Sequence, residues 1–254
     1  MLKSVVFTSL LLCSFALHGQ NENVSLPLSP YSTFYAEVIS TLSKSFNAES
    51  PKEETHEPDA AWKNWLLVEN YTFGKNRGDL PMIADLDALH PYFRDQVAML
   101  IAVCKTKGIE LAVVESYRTH SKQNEYKAMG KNYTRSVGGK SKHQYGLAVD
   151  VVPMINSVAQ WENAKLWRKI GVIGEQLGFR WGGRWRSLYD PGHFEWTGGL
   201  SSYNLSLGQW PAIPKVPNYP CIEEDLSQLT KYWKALEIEQ SSITRKEIAS
   251  SKMN

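Results

Sequence analysis

Apolar residues recur along this chain at two periods, and the switches between them mark the elements. Between Tyr31 and Phe46 the apolar positions Phe34, Val38, Ile39 and Leu42 fall at helical spacing. The acidic, proline-containing stretch AESPKEETHEPDA that follows reads as a linker, and Trp62, Trp65 and Leu66 restart the apolar pattern. DLDALHPYFRDQVAMLIAVCKTKG, from Asp85, predicts one helix ended by Lys107-Gly108, and ELAVVES (110–116) predicts a buried strand. HSKQNEYKAMG suggests a short helix and NYTRSVGGKSK a loop; YGLAVDVVP reads as a strand closed by Pro153. In AQWENAKLWRKIGVIGEQLG the residues Trp161, Leu166, Trp167, Ile170, Ile173 and Leu177 recur at helical spacing, with Gly178 as a cap. FRWGGRW and GHFEW are short strand-like pieces. Helices and strands are mixed without a strand–crossover–strand rhythm, which predicts an α+β fold with a small antiparallel sheet and packed helices.

The domain organisation follows from the same pattern. Residues 80–198 form the expected core, 20–79 an N-terminal extension with a helix and the acidic linker, and 199–254 a C-terminal extension. That extension has a proline-punctuated loop, the charged amphipathic helix IEEDLSQLTKYWKALEIEQ and a frayed polar end. The first residues, MLKSVVFTSLLLCSFALHGQ, carry one lysine and then an apolar run from Ser4 to Leu17, too short to span a bilayer comfortably. This fits a secretory signal peptide over residues 1–19, so the expected location is exported, periplasmic or extracellular. Leu12 before Cys13 is not small, which argues against lipidation. No later apolar run predicts a membrane span.

Composition narrows the chemistry. The 254 residues carry a formal net charge of +2, with no basic field of the kind nucleic acid requires. With the signal removed, Cys104 and Cys221 remain; they could pair in an oxidising compartment, but the sequence does not show their proximity. There is no Cys-X-X-Cys, so a metal site would have to use histidine and carboxylate.

The stretch SKHQYGLAVD places His143 seven positions before Asp150. Seven extended residues span roughly 23 Å, whereas ligands of one zinc lie a few Å apart. A shared metal therefore demands a turn, and Gly146 is the permissive place for it. Beyond the turn Ala148, Asp150 and Val152 share a strand face, where a bare carboxylate is costly. These ten residues alone leave two readings open: half of a metal site, or an acid that ends its strand partly exposed or pairs with a Lys or Arg, with His143 a surface loop residue. The segment YDPGHFEW supplies Asp190 and, three residues on, His193. His143, Asp150 and His193 then make three protein ligands with a position open, the arrangement of a catalytic zinc.

With these residues in place the sequence resembles a known family. SKHQYGLAVD matches the Ser-X-His-X-X-Gly-X-Ala-X-Asp signature of zinc peptidases of bacterial cell walls, the VanY-type D-alanyl-D-alanine carboxypeptidases and the related L-alanyl-D-glutamate endopeptidases. DPGHFEW resembles their acid-X-X-His signature, ESYRTHSKQ the segment with their active-site arginine, and FRWGGRW the Trp-Gly-Gly of the endopeptidase branch. The resemblance covers residues 80–198 and implies a hedgehog/D,D-peptidase-like domain. It implies Zn2+ held by His143, Asp150 and His193, with Asp190 as the general base that activates water. It implies Arg118 as the group that polarises the scissile carbonyl or anchors substrate, and Ser141 as a hydrogen-bonding group near the site. The expected partners are peptidoglycan stem peptides or muropeptides, cut at L-Ala-D-Glu. D,D-carboxypeptidase activity is the alternative within the class, and a non-catalytic zinc-containing wall-binding module the alternative outside it. A two-histidine, one-carboxylate iron oxygenase has its histidine and acid nearly adjacent, unlike the spacing here.

Arg184 follows Trp-Gly-Gly where the endopeptidase branch often has an acid. Glu195 shares a strand face with His193 and competes with Asp190 as base. His120 reads as a surface residue at a helix start and His90 as structural. Tyr133, Tyr145 and Trp196 are groove or core aromatics. Lys131, Arg135, Lys140 and Lys142 form a basic loop able to meet stem-peptide carboxylates.

Overall fold

The structure, a computed structural model, describes residues 58–214 and 222–251. The expected signal peptide, the helix at 31–46, most of the acidic linker, and Cys221 lie outside the described residues. Within them the order of elements is β1 (Leu67–Val68), β2 (Met82–Ile83), α1 (Pro91–Thr106), β3 (Glu110–Glu115), α2 (His120–Ala128), β4 (Ala148–Ile155), β5 (Val158–Ala159), α3 (Ala164–Gln176), β6 (Arg180–Trp181), β7 (His193–Glu195), α4 (Ser202–Ser206) and α5 (Ile222–Ser251). The fold is α+β. A small hairpin pairs β1 with β2, and a second sheet runs β3-β4-β7-β6 with β5 on β4. The pairings between strands are antiparallel.

Two sequence expectations need correction. The helix expected from Asp85 is broken: a 3-10 turn covers Leu86–Ala88, Leu89 and His90 are extended, and α1 starts at Pro91. Proline disfavours helical backbone in the residue before it but suits the first helical turn. Pro153 does not close its strand, because β4 runs on to Ile155 with Pro153 opposite Leu111. The Pro153 carbonyl accepts from Gln160 N at 2.8 Å, on the side away from β3. Its missing N–H faces that same side, so the β3–β4 ladder loses no bond.

Strand β4 is the buried centre, with every residue from Ala148 to Pro153 buried. Helix α3 covers the sheet closely enough that a Cβ on Gly171 would lie 2.3 Å from Trp181, and one on Gly174 2.4 Å from Phe194. Helix α5 also packs into the body of the fold. Leu226, Leu229, Trp233 and Leu236, at helical spacing, cluster with Trp65, Ile83, Ala88 and Tyr117. Trp233 stacks on Tyr117 at 5.0 Å and 4° and donates to the Ala88 carbonyl at 2.9 Å. Cys104 is buried in α1, where burial pushes its thiol up to about 12. No described helix is long and apolar enough to cross a membrane.

Candidate metal centre

The turn that His143 and Asp150 require is a 3-10 turn over Lys142–Tyr145 closed by Gly146 at φ 62°. Gln144 holds its start, accepting from Gly139 N at 2.7 Å and Ser141 N at 3.3 Å. Gly146 is required twice over. Its backbone is left-handed, and a Cβ there would lie 2.6 Å from Trp233 and 2.8 Å from His90 N. After the turn the chain enters β4, where Asp150 lies directly opposite His193 of β7. Directly opposite residues of an antiparallel pair share a face with Cβ atoms about 4.5–5.5 Å apart. Sheet register thus joins residues 43 apart in sequence.

Three ligand atoms converge. His193 Nδ1 is 3.0 Å from Asp150 Oδ1 and 3.2 Å from His143 Nε2; His143 Nε2 is 3.3 Å from Asp150 Oδ1. A tetrahedral ion with bonds of about 2.0–2.1 Å separates its ligands by about 3.3–3.4 Å, so this triangle is the right size. The remaining ring nitrogens are committed elsewhere. His143 Nδ1 lies 3.1 Å from the Ser116 carbonyl, which can only accept, so Nδ1 carries the proton and Nε2 keeps its lone pair. His193 Nε2 lies 3.3 Å from Glu195 Oε2 and donates to it, turning Nδ1 inward. Such partners on the outer nitrogen orient metal-binding histidines. Geometry and donor set together fit a metal ion.

The electrostatics agree. Burial alone would lower the His193 pKa, but hydrogen bonds to Asp150 and Glu195 and the nearby Asp150 and Asp190 charges push it up to about 10. Burial alone would raise Asp150, but the charges of and hydrogen bonds from His143 and His193 hold it well below the usual carboxylate range. The triad therefore draws positive charge to its centre, as a proton or a cation.

Arg118 is buried beside this centre and largely engaged. Its Nη2 meets Glu115 and also Asp150 Oδ2 at 3.3 Å, its Nη1 donates to Gln123 at 3.0 Å, and its guanidinium lies 4.7 Å from the Tyr126 ring. Glu115 is fully buried, and a register shift in β3 after Val113 places it opposite Asp150. Within ESYRTHSKQ nothing in the sequence pattern gives Glu115 a role. The available signal was an acid ending a valine-rich strand three residues before the arginine.

Asp190 lines the same groove, which has a volume of about 800 Å³. Burial, and then the Asp150 charge, raise its pKa, with His193, His143 and Arg77 opposing. Glu195 also lines the groove but is occupied by Arg180 at 2.8 Å and by His193, whereas no hydrogen bond or ion pair among the described residues engages the Asp190 carboxyl. Ser141, Tyr133, Arg135, Lys140 and Lys142 also line the groove. Tyr145 donates to the Gly139 carbonyl at 2.9 Å, and Trp196 packs 4.6 Å from Tyr92. The exposed Arg184 forks onto the half-buried Glu175 at 2.9 Å from two nitrogens, so the position after Trp-Gly-Gly is used here for a surface pair. His120 binds Glu237 of α5, remote from the metal ligands, and His90 is buried between Trp196 and Trp210. Trp161 precedes α3 rather than joining its apolar face, and donates to the Phe73 carbonyl at 2.7 Å.

Comparison with known proteins covers this same region. Residues 134–196 match the family described as D-alanyl-D-alanine carboxypeptidase. The peptidoglycan L-alanyl-D-glutamate endopeptidase CwlK of Bacillus subtilis is 31% identical over 131 residues, 46% of this chain and 77% of CwlK. Among solved structures, the L-Ala D-Glu endopeptidase ChiX of Serratia marcescens is similar at 28% identity and a TM-score of 0.38, covering 44% of this chain and 83% of ChiX. The vancomycin resistance D,D-pentapeptidase VanY in complex with Zn(II) is similar at 23% identity and a TM-score of 0.32, covering 65% of this chain and 92% of VanY. Sequence identity at this level over most of CwlK's length, with a family-model match over the residues that hold His143, Asp150 and His193, makes this chain a member of the D-alanyl-D-alanine carboxypeptidase family of metallopeptidases.

Proposed function

We propose that this protein is an exported zinc metallopeptidase that hydrolyses peptidoglycan stem peptides at the L-Ala-D-Glu bond. The observation that carries the reading is the triangle of His143 Nε2, Asp150 Oδ1 and His193 Nδ1, with sides of 3.0–3.3 Å, beside the Asp190 carboxyl in one groove. The bond assignment is supported by likeness to CwlK, an endopeptidase of that specificity, and by the Trp-Gly-Gly stretch.

His143, Asp150 and His193 would hold zinc, which supplies Lewis acidity toward water and the scissile carbonyl. Asp190 takes a proton from the attacking water and passes it to the leaving amine; its raised pKa suits both halves of that transfer. Arg118 keeps Asp150 ionised and aimed, and adds positive potential where the attacked oxygen gains charge. Ser141 on the groove wall is placed to hydrogen-bond the peptide. His193 is kept in register by Glu195, so the ligand set is rigid before substrate arrives.

The test is mass spectrometry of muropeptides after digestion by zinc-loaded protein. Release of the fragment beginning at D-Glu is expected. Loss of a terminal D-Ala alone would assign D,D-carboxypeptidase activity instead, and no product from any muropeptide would favour a wall-binding module. Asp190→Asn should retain zinc and lose turnover by at least about 100-fold.

A further inference from the structure

The groove has a second charged feature, whose two cations come from outside the stretch that matches the family model and whose aromatic floor comes from within it. Lys75 and Arg77 both lie against the ring of Trp161, with Lys75 Nζ 4.1 Å and the Arg77 guanidinium carbon 5.1 Å from its centroid. Both line the groove that holds Asp190 and Arg118. Like charges beside one ring repel, yet the loop carrying them is fixed at several points. Asn70 accepts from Arg77 N at 2.6 Å, and the buried Lys122 reaches the Arg77 carbonyl at 2.5 Å. Glu125 accepts from Asp79 N at 2.6 Å and from Lys122 at 2.7 Å, and Trp161 ties down Phe73.

Arg77 Nε is sealed from solvent and has no hydrogen-bond partner. Among the described residues no carboxylate lies within ion-pair distance of Lys75 or Arg77; Glu162 and Asp190 of the same groove act on Lys75, and Asp190 on Arg77, only at longer range. A buried donor without an acceptor is costly, and so is a fixed pair of like charges. An anion in the groove beside the two cations offsets the second of these costs, while the sealed Nε stays out of its reach. Arg118, the cation expected from sequence to meet substrate, is largely committed to Glu115, Asp150 and Gln123.

We propose that Arg77, seconded by Lys75, forms a carboxylate subsite at the groove wall that selects peptides bearing a free carboxylate beside the scissile bond. The identity of this ligand rests on the peptidase reading. Trp161 supplies the flat floor that holds the two cations side by side, and the 70–80 loop supplies the rigidity.

The experiment uses zinc-loaded full-length protein and a stem-peptide analogue whose scissile amide is reduced, so that it binds without being cut. It is made in two forms, with the D-Glu α-carboxylate free or converted to carboxamide, and affinity is read by calorimetry. Wild type should bind the carboxylate form about tenfold more tightly. Arg77→Gln should bind both forms as weakly as wild type binds the carboxamide, with zinc content unchanged. Arg77→Lys should keep part of the preference, and Lys75→Gln, on an exposed side chain, should lose a smaller part of it. Equal binding of the two forms by wild type, no binding of either, or a preference that survives both glutamine substitutions overturns the subsite. If the preference is present and depends on Arg77 but the unmodified peptide is not cut, the subsite stands and the peptidase reading falls.

Discussion

The proposed metal ligands and the groups that hold them in place come from different parts of the chain. His143, Asp150 and His193 all lie within residues 134–196, the stretch that matches the family model. Much of what fixes them lies outside it. Ser116 orients His143, Arg118 holds Asp150, and His90 and Trp233 close around Gly146. Glu195 on His193 is the exception, two residues along the same strand. The ligand set can be written into a short segment because one turn and one strand pairing bring its members together. Its rigidity cannot, because the outer faces of those residues point toward other elements.

Substitutions should separate the two parts. The largest effect is expected at the ligands. His193→Ala should abolish metal binding and turnover together, beyond the roughly 10–100-fold typical of orienting groups, while the fold persists; metal analysis with circular dichroism reads both. Next is Trp233→Ala, far from the ligands in sequence. Removing a buried tryptophan costs about 3–5 kcal/mol, and a denaturant titration should show that loss along with weakened metal affinity as the Gly146 turn loosens. If stability falls and metal affinity does not, α5 is a buttress without influence on the site.

Glu195→Gln should follow, lowering metal affinity by about 10–100-fold with stability little changed, as measured by chelator competition. Equal affinity would mean that His193 is oriented by its packing alone.

The smallest effect is the pH dependence of the α2–α5 tie. His120 is raised from 6.5, chiefly by its bond to Glu237. Burial opposes Glu237, but the bonds from the His120 ring, its backbone and Ser121 lower it from 4.5. The histidine's contribution is full below 6.5 and fades as pH rises through its folded value. The glutamate's is full above 4.5 and fades as pH falls through its own. The tie is therefore strongest between those values. His120 is half exposed, so its effect stays under about 1 kcal/mol. Glu237→Gln should flatten the falls in stability on either side of this window, as read by denaturant titrations at several pH values.

The convergence of the three candidate ligands was legible because its constraints are local. A histidine, a glycine at the required turn and an aspartate on a valine-rich strand are readable in SKHQYGLAVD, and DPGH supplies the partner. Glu115 was not legible. Its importance depends on a register shift opposite Asp150 and on Arg118 reaching both acids, and neither leaves a periodic signal. Arg118 itself was found, but its commitment to Glu115 and Asp150 was hidden. The break at His90 was signalled by the proline after it, and was missed because the apolar period runs straight across it.

By itself the sequence determined the mix of helices and strands, and it singled out His143, Asp150 and His193 as a candidate ligand set with an acid at position 190 beside them. Each follows from backbone preference or from residue chemistry at short spacing. Only the tertiary structure decided that Asp150 faces His193, that Arg118 is bound to two acids, that α5 packs over the Gly146 turn, and that Lys75 and Arg77 meet at Trp161. These are contacts between residues distant along the chain. They are set by strand register and by which apolar faces bury each other, quantities that no local pattern encodes.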